Sequence, residues 1–240
     1  MSVAILGVID SPLLGHTLRS CLEVGVPVTS VIIDSKRFDG KSLKIWNDRT
    51  AGRLPTIAIS DFERNRIPVF FVRSHNSAET IDLISSLDIK LILNGGTPRI
   101  LTRDIFSAPS LGVLNVHPGK LPEYRGCTAV EWAIFNGDQI FNTVHYIEEG
   151  IDTGRILAEE MVDVFFGDTY ADVRVRCYQK GFHLLARNAL RVLSTSQPET
   201  INPDPDAGNY YSPIPDALLA EVREKLSLDQ YRHQKRKMIR

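Results

Sequence analysis

Only three cysteines occur in the 240 residues, Cys21, Cys127 and Cys177, and no two stand near enough to form a CxxC pair. That spacing argues against a disulfide framework and offers nothing toward a zinc site, so no metal centre is expected. Excess charge of either sign is also missing. The 28 Lys and Arg residues stand against 29 Asp and Glu, a net charge of -1, so no global field recruits nucleic acid or an anionic membrane. Long hydrophobic runs are lacking too. None reaches membrane-spanning length, and the start Met1-Ser2-Val3-Ala4-Ile5-Leu6 has neither the basic stretch nor the small-residue cleavage site of a leader. A cytoplasmic protein is the expectation. Finally, Gly7 and Gly15 do not make a G-x-G-x-x-G turn behind the first apolar run. A dinucleotide dehydrogenase is set aside on that ground, since fold likeness alone is not a functional argument.

What is present is an alternation. The run Val3 to Ile9 suits a strand covered on both faces, and Leu14, Leu18, Cys21 and Leu22 follow at helical spacing. Pro27 to Ile33 reads as a second strand and Val69 to Val72 as a third. A helix through Ile81, Ile84 and Leu87, a strand Leu91 to Leu93 and a strand Leu111 to Val116 continue the series. Strands alternating with amphipathic helices predict an α/β fold, a Rossmann-like, doubly wound, mostly parallel sheet with helices on both faces. Val144 to Ile147 and Arg155 to Val164 suggest two more strands in an antiparallel extension. Val175, Tyr178, Phe182, Leu185, Ala189 and Val192 recur as one long helix. Residues 34 to 66 read as an insertion holding a short helix. After Leu193 the Pro-rich sequence reads as an extended segment, ending in a basic, frayed tail from Tyr231. The expected division is a catalytic domain over 1–195 and an extension over 196–240 with no independent core.

The chemistry concentrates at Asn115-Val116-His117-Pro118. Residues two apart on a strand share a face, so Asn115 and His117 point together while Val116 points into the core, and Pro118 ends the ladder. Ligands of doubly wound sheets sit outside the carboxyl ends of the strands. Asn94-Gly95-Gly96 also falls at such an end, so the two loops are expected to line one cleft. A carboxylate from the Gly-flanked loop Glu148 to Gly154 can complete a site with donors for a developing oxyanion and a group to manage an amine proton. Cys127, near the motif, is read as an ordinary small side chain.

The stretch from Asn115 to Asp152 resembles the catalytic region of the folate-dependent formyltransferases. The family includes glycinamide ribonucleotide transformylase, methionyl-tRNA formyltransferase and the nucleotide-sugar N-formyltransferases. The matching residues are Asn115-Val-His117-Pro-Gly-Lys-Leu-Pro-Glu-Tyr-Arg125-Gly126, then Asn136-Gly137-Asp138, Thr143-Val144-His145 and Asp152-Thr153-Gly154. By that resemblance Asn115, His117 and Asp152 are the catalytic triad, the formyl donor is 10-formyltetrahydrofolate, released as tetrahydrofolate, and His145 supports the triad from behind. Reduced folate is expected against Gly96, Arg99, Ile100 and Leu101 on one side and Ile147, Glu148, Glu149 and Ile151 on the other. Candidate acceptor contacts are Asp10, Ser11, Lys120, Tyr124, Arg125 and Tyr210.

Departures from the family narrow the acceptor. Where glycinamide ribonucleotide transformylase carries a Gly-Ser-Asn phosphate loop, this chain reads Asp10-Ser11-Pro12. Pro12 removes an N–H and Asp10 adds a like charge, which argues against a ribonucleotide phosphate there. The transfer-RNA enzymes add a substantial C-terminal domain, so transfer RNA is not expected as a partner. Gly208 to Pro213 looks like the segment that follows the domain in amino-sugar formyltransferases. The expected function is therefore N-formylation of a small primary amine such as a nucleotide-linked amino sugar. Alternatives are glycinamide ribonucleotide formylation, formyltetrahydrofolate hydrolysis and a non-catalytic folate-binding relative. The hydrolases carry a regulatory domain before the first strand, which here starts at Val3. Oligomeric state is left open, a homodimer included.

Overall fold

The computed structural model describes residues 1–57, 66–195, 198–204 and 206–237. Every residue of β1 (Ser2–Val8) after the first is buried, and its alternation sorts two cores. Val3 and Ile5 pack with Leu14, Leu18 and Cys21 of α1 (Pro12–Val24) and with Leu185, Ala189 and Val192 of α6 (Tyr170–Thr195). Ala4 and Leu6 face the other way, onto Ile84 of α3 (Ala78–Ser86) and Ile105 of α4 (Arg103–Phe106). The period of two thus turns one apolar run into two helix-covered faces, and truncating one such core leucine to alanine costs about 2–5 kcal/mol.

Strands β2 (Val28–Asp34), β3 (Val69–Val72), β4 (Ile89–Asn94) and β5 (Val113–His117) join β1, all in parallel. β7 (Phe141–Tyr146) and β8 (Ile156–Met161) then extend the sheet antiparallel, for the order β3-β2-β1-β4-β5-β7-β8. This is the α/β, mostly parallel sheet with an antiparallel extension that the alternation predicts. The insertion holds the helix α2 (Gly40–Thr50), and residues 58–65 of it lie outside the described residues. Among the described residues no helix is long and apolar enough to cross a membrane.

Two expectations need correction. The segment after Leu193 is not extended throughout: α7 (Asp216–Ser227) forms directly behind Pro215. Its Val222 and Leu226 are fully buried against Ala129, Val130 and Ala133 of α5 (Ala129–Asn136). Prolines punctuate that stretch, yet Leu218, Leu219, Val222 and Leu226 keep the helical spacing that packing makes decisive. The tail does not fray at Tyr231, which is 3% exposed and donates its hydroxyl to the Asp138 carbonyl. The next residues pair as β11 (Gln234–Lys235) with β9 (Val164–Phe165). Val116 packs against the first core as its place on the strand predicts, and its partly exposed side also borders a cavity.

Candidate active site

β5 ends at His117, and its register against β7 sets the site: Asn115 lies opposite His145, and His117 opposite Thr143. The orientation of each polar group follows from the one before it, starting at backbone. Asn94 Oδ1 accepts the N–H of Gly96 at 2.9 Å and of Thr97 at 2.8 Å, which leaves its Nδ2 to donate. That Nδ2 donates to Asn115 Oδ1 at 3.0 Å, so the Asn115 Nδ2 must in turn be the donor to His145 Nε2, also 3.0 Å away. His145 meets this by carrying its proton on Nδ1, which donates to the Tyr146 carbonyl at 2.9 Å. Burial pushes the His145 pKa down to about 4, against the opposing pull of Asp152. The ring is neutral near pH 7.

Asp152 completes the group. It sits at a positive φ of 55°, a conformation Asp and Asn tolerate better than most side chains. Its loop is held close by Gly154, where a Cβ would come within 2.0 Å of the Tyr146 carbonyl oxygen. Asp152 Oδ2 accepts the Gly126 N–H at 2.9 Å and stands 3.3 Å from His117 Nδ1; Oδ1 lies 3.6 Å from His145 Nε2. His117 is 4% exposed and sends its Nε2 to the Tyr124 carbonyl at 2.6 Å. Asn115, His117, His145 and Asp152 thus form one connected cluster at the carboxyl end of β5.

The packing around His117 makes one prediction. A Cβ on Gly119 would stand 2.7 Å from His117 Nε2, 2.7 Å from the Ala129 Cβ and 2.8 Å from the Tyr124 carbonyl oxygen. Gly119→Ala therefore displaces the imidazole, and overpacking costs about 1–3 kcal/mol. Urea melts and steady-state kinetics on this variant should show that loss together with a turnover reduced by up to about 10²-fold. Unchanged turnover would mean that the ring position is not critical.

His145 makes another. Its folded pKa, about 4, lies below the unfolded value of 6.5, so the unfolded chain binds more protons between them. The stability this group contributes is present above pH 6.5 and is lost as the pH falls toward 4. Urea melts across that window should show a flatter pH dependence for His145→Gln than for the wild type. Equal slopes would contradict the assignment.

The two loops expected to hold reduced folate flank β5. Gly96, at φ 96°, and Thr97 hang on Asn94, while the Ile147 N–H donates to the Val113 carbonyl at 2.8 Å. An Arg103–Glu149 ion pair spans the gap between the loops, exposed at both ends and so of little energetic weight. Leu101 is buried, whereas Ile100 and Ile151 are 73% and 41% exposed. Glu148 pairs with Arg155 at 2.6 Å, and Ile147 and Glu148 border a cavity of about 790 Å³ beside Leu111 and Gly112. Arg99 is held by Asp34, Nε to Oδ2 at 2.7 Å and Nη2 to Oδ1 at 3.1 Å. Asp34 also accepts the His75 and Lys36 N–H groups. Burial opposes its charge, but the hydrogen bonds from Arg99, Lys36 and His75 outweigh that and hold the carboxyl below the usual range.

The candidate acceptor contacts are scattered. Lys120 pairs with Glu123 at 2.7 Å. Tyr124 stacks on Tyr211 at 5.1 Å and donates its hydroxyl to Asp138 at 2.6 Å, so its contribution to the cluster is its backbone carbonyl. Arg125 and Gly126 lie on β6 (Tyr124–Gly126), which pairs with β10 (Asn209–Tyr211). Tyr210 is 58% exposed beside Gly126. Asp10 is exposed at φ 64°. Ser11 precedes α1 but makes no side-chain cap, and its buried hydroxyl finds no partner among the described residues. Sequence reasoning placed Asn94 in a cleft loop and Gly119 and Gly126 in the motif, but gave none of the three an orienting role. Their signal was weak, because backbone contacts and close approaches leave only a glycine or an asparagine in a loop.

A family model described as formyl transferase matches residues 2–188. The chain is 29% identical over 171 residues to the methionyl-tRNA formyltransferase of Clostridium acetobutylicum, covering 69% of this chain and 54% of that protein. It spans about half to two-thirds of the length of the methionyl-tRNA formyltransferases it matches. Among solved structures, the phosphoribosylglycinamide formyltransferase of Bacillus halodurans superimposes with a TM-score of 0.61 at 21% identity, covering 82% of this chain and 97% of that one. A sugar N-formyltransferase from Shewanella sp FDAARGOS_354 gives 0.60 at 21% identity, covering 89% and 77%. Those two likenesses show a shared fold. With the family match running over most of its length, the chain belongs to the formyl transferase family.

Proposed function

We propose that this chain moves a formyl group from 10-formyltetrahydrofolate to the primary amine of a small molecule, with a nucleotide-linked amino sugar as the leading acceptor type. The observation that carries this is the fixed polarity of Asn115. One Nδ2 hydrogen is committed to His145, which leaves the second without an acceptor among the described residues. It suits the charge that builds on a formyl oxygen as an amine attacks the carbon. The folate, when bound, supplies that formyl carbon. The bond from the amine nitrogen to carbon forms, the bond from carbon to the folate nitrogen breaks, and the amine gives up a proton. Asp152 Oδ2 and His117 Nδ1, 3.3 Å apart, are the pair placed to take that proton and pass it toward the leaving nitrogen. Neutral His145 keeps Asn115 turned as a donor.

The resemblance of the motifs supports the folate, and two solved N-formyltransferases were determined with 5-N-formyl-THF or with folinic acid. Near-balanced charge supports a small acceptor over transfer RNA, whose phosphates favour a basic surface. The test is to incubate the chain with 10-formyltetrahydrofolate and a panel of amines, sugar-linked ones included. Tetrahydrofolate and a formylated amine should appear together. Formate released at the same rate without any amine would replace transfer by hydrolysis, and no turnover with any amine would sink the proposal.

A further inference from the structure

On the sheet face opposite the Asn115 and His117 side chains, a cavity of about 510 Å³ opens between α1, α2 and α6. Val116 and Pro118, the residues on either side of His117, form part of its wall. Aromatic rings line it: Trp46 lies 4.4 Å from Tyr178, and Tyr178 stacks on Phe182 at 6.2 Å. Arg174 borders the cavity at only 2% exposure, and its Nε and Nη1 make no hydrogen bond among the described residues. Nη2 donates to the Tyr178 hydroxyl. The available carboxylate is Glu131, 3.5 Å from Arg174 Nη1, and it is shared with Arg49, which also borders the cavity, at 3.6 Å. Tyr170 already donates to Glu131 at 2.5 Å.

Neighbouring charges do not balance this group. Asp172 is taken by Arg53 at 2.7 Å and Asp48 by Arg223 at 2.6 Å, while burial pushes the Cys177 thiol up to about 11, which keeps it neutral. Two guanidiniums therefore face one carboxylate beside apolar rings. A buried cation with unmade hydrogen bonds is costly, and neutralising Glu131 requires only one arginine.

We propose that this cavity receives the body of the acceptor: an amine bearing a flat apolar ring and an anionic group, carboxylate or phosphate, that pairs with Arg174 and Arg49. The ring lies against Tyr178 and Phe182, and the amine passes over the end of β5 at Pro118 to reach Asn115 and His117. Only that last step rests on the formyl-transfer reading.

Calorimetry on the chain without folate tests it with three matched probes: para-(aminomethyl)benzoate, para-(aminomethyl)phenyl phosphate and the neutral para-(aminomethyl)benzamide. At least one anion should bind about tenfold or more tighter than the amide, the scale of a charge-assisted hydrogen bond, and which anion does so separates carboxylate from phosphate. Arg174→Met should abolish that preference. Because Arg174 is part of a buried network and its loss can unfold the chain, Arg49→Gln is the independent arm and should weaken the preference several-fold. Equal binding of amide and anions, or an anion preference unchanged in Arg49→Gln, overturns the proposal. Anion-selective binding without formyl transfer to any amine would sink the transferase reading and leave this one standing. Formyl transfer with equal kcat/KM to all three probes would do the reverse.

Discussion

Asn115→Ala lowers turnover by about 10²–10³-fold, the usual scale for removal of one oxyanion donor. The effect should fall on kcat far more than on the binding of reduced folate, because the second Nδ2 hydrogen has no ground-state partner among the described residues. The variant also leaves two neighbours short: the Asn94 Nδ2 loses its acceptor and His145 Nε2 its donor. A stability loss of about 1–2 kcal/mol is expected from those buried groups. Asn115→Asp separates the two effects. It keeps an oxygen for Asn94 but puts a second oxygen against His145 Nε2 and a second carboxylate near Asp152. Turnover should fall at least as far as in the alanine variant. An Asn115→Ala enzyme that works at the wild-type rate would remove the oxyanion assignment altogether.

The second large effect is at Asp152. Asp152→Asn keeps a residue that tolerates φ 55° and an oxygen for the Gly126 N–H, so the loop and the fold should survive. What disappears is the negative charge 3.3 Å from His117 Nδ1 and 3.6 Å from His145 Nε2. With no carboxylate to accept or relay the amine proton, turnover should drop by about 10²–10⁴-fold, the range for a positioned general acid or base. Steady-state kinetics beside a thermal melt checks both halves. A large activity loss with a wild-type melt supports the role, whereas full activity assigns Asp152 to loop structure alone. Asp152→Ala should be worse in stability, because it abandons the Gly126 amide and puts a less tolerant residue at a positive φ.

Much of this arrangement was legible in the order of residues. Unbroken apolar runs such as Val3 to Val8 and Val31 to Ile33 call for burial on both faces, which is why the sheet, its helices and the carboxyl-end cleft follow from pattern alone. Asn115 and His117 were readable because strand geometry makes residues two apart share a face. Asp152 was readable only through the resemblance, since nothing local ties a loop carboxylate to a strand 35 residues earlier. What stayed hidden acts through backbone or through distant pairing. The Tyr124 carbonyl anchors His117, the Gly126 amide anchors Asp152, and the Asn94 side chain converts two backbone N–H groups into the polarity of Asn115. Asp34, at the end of β2, holds Arg99 from 65 positions away. The helix after Pro215 escaped for a different reason: proline punctuation outweighed a four-residue apolar rhythm that tertiary packing on α5 makes decisive.

One crystal structure would weigh most, that of this chain bound to 5-formyltetrahydrofolate. The formyl oxygen should lie within about 3.2 Å of Asn115 Nδ2, the reach of an ordinary hydrogen bond. The pteridine should then rest between the Gly96–Leu101 segment and the Ile147–Ile151 loop, with the carbon facing the His117–Asp152 pair. A ligand seated elsewhere, or one whose formyl group points away from Asn115 and His117, would contradict the account.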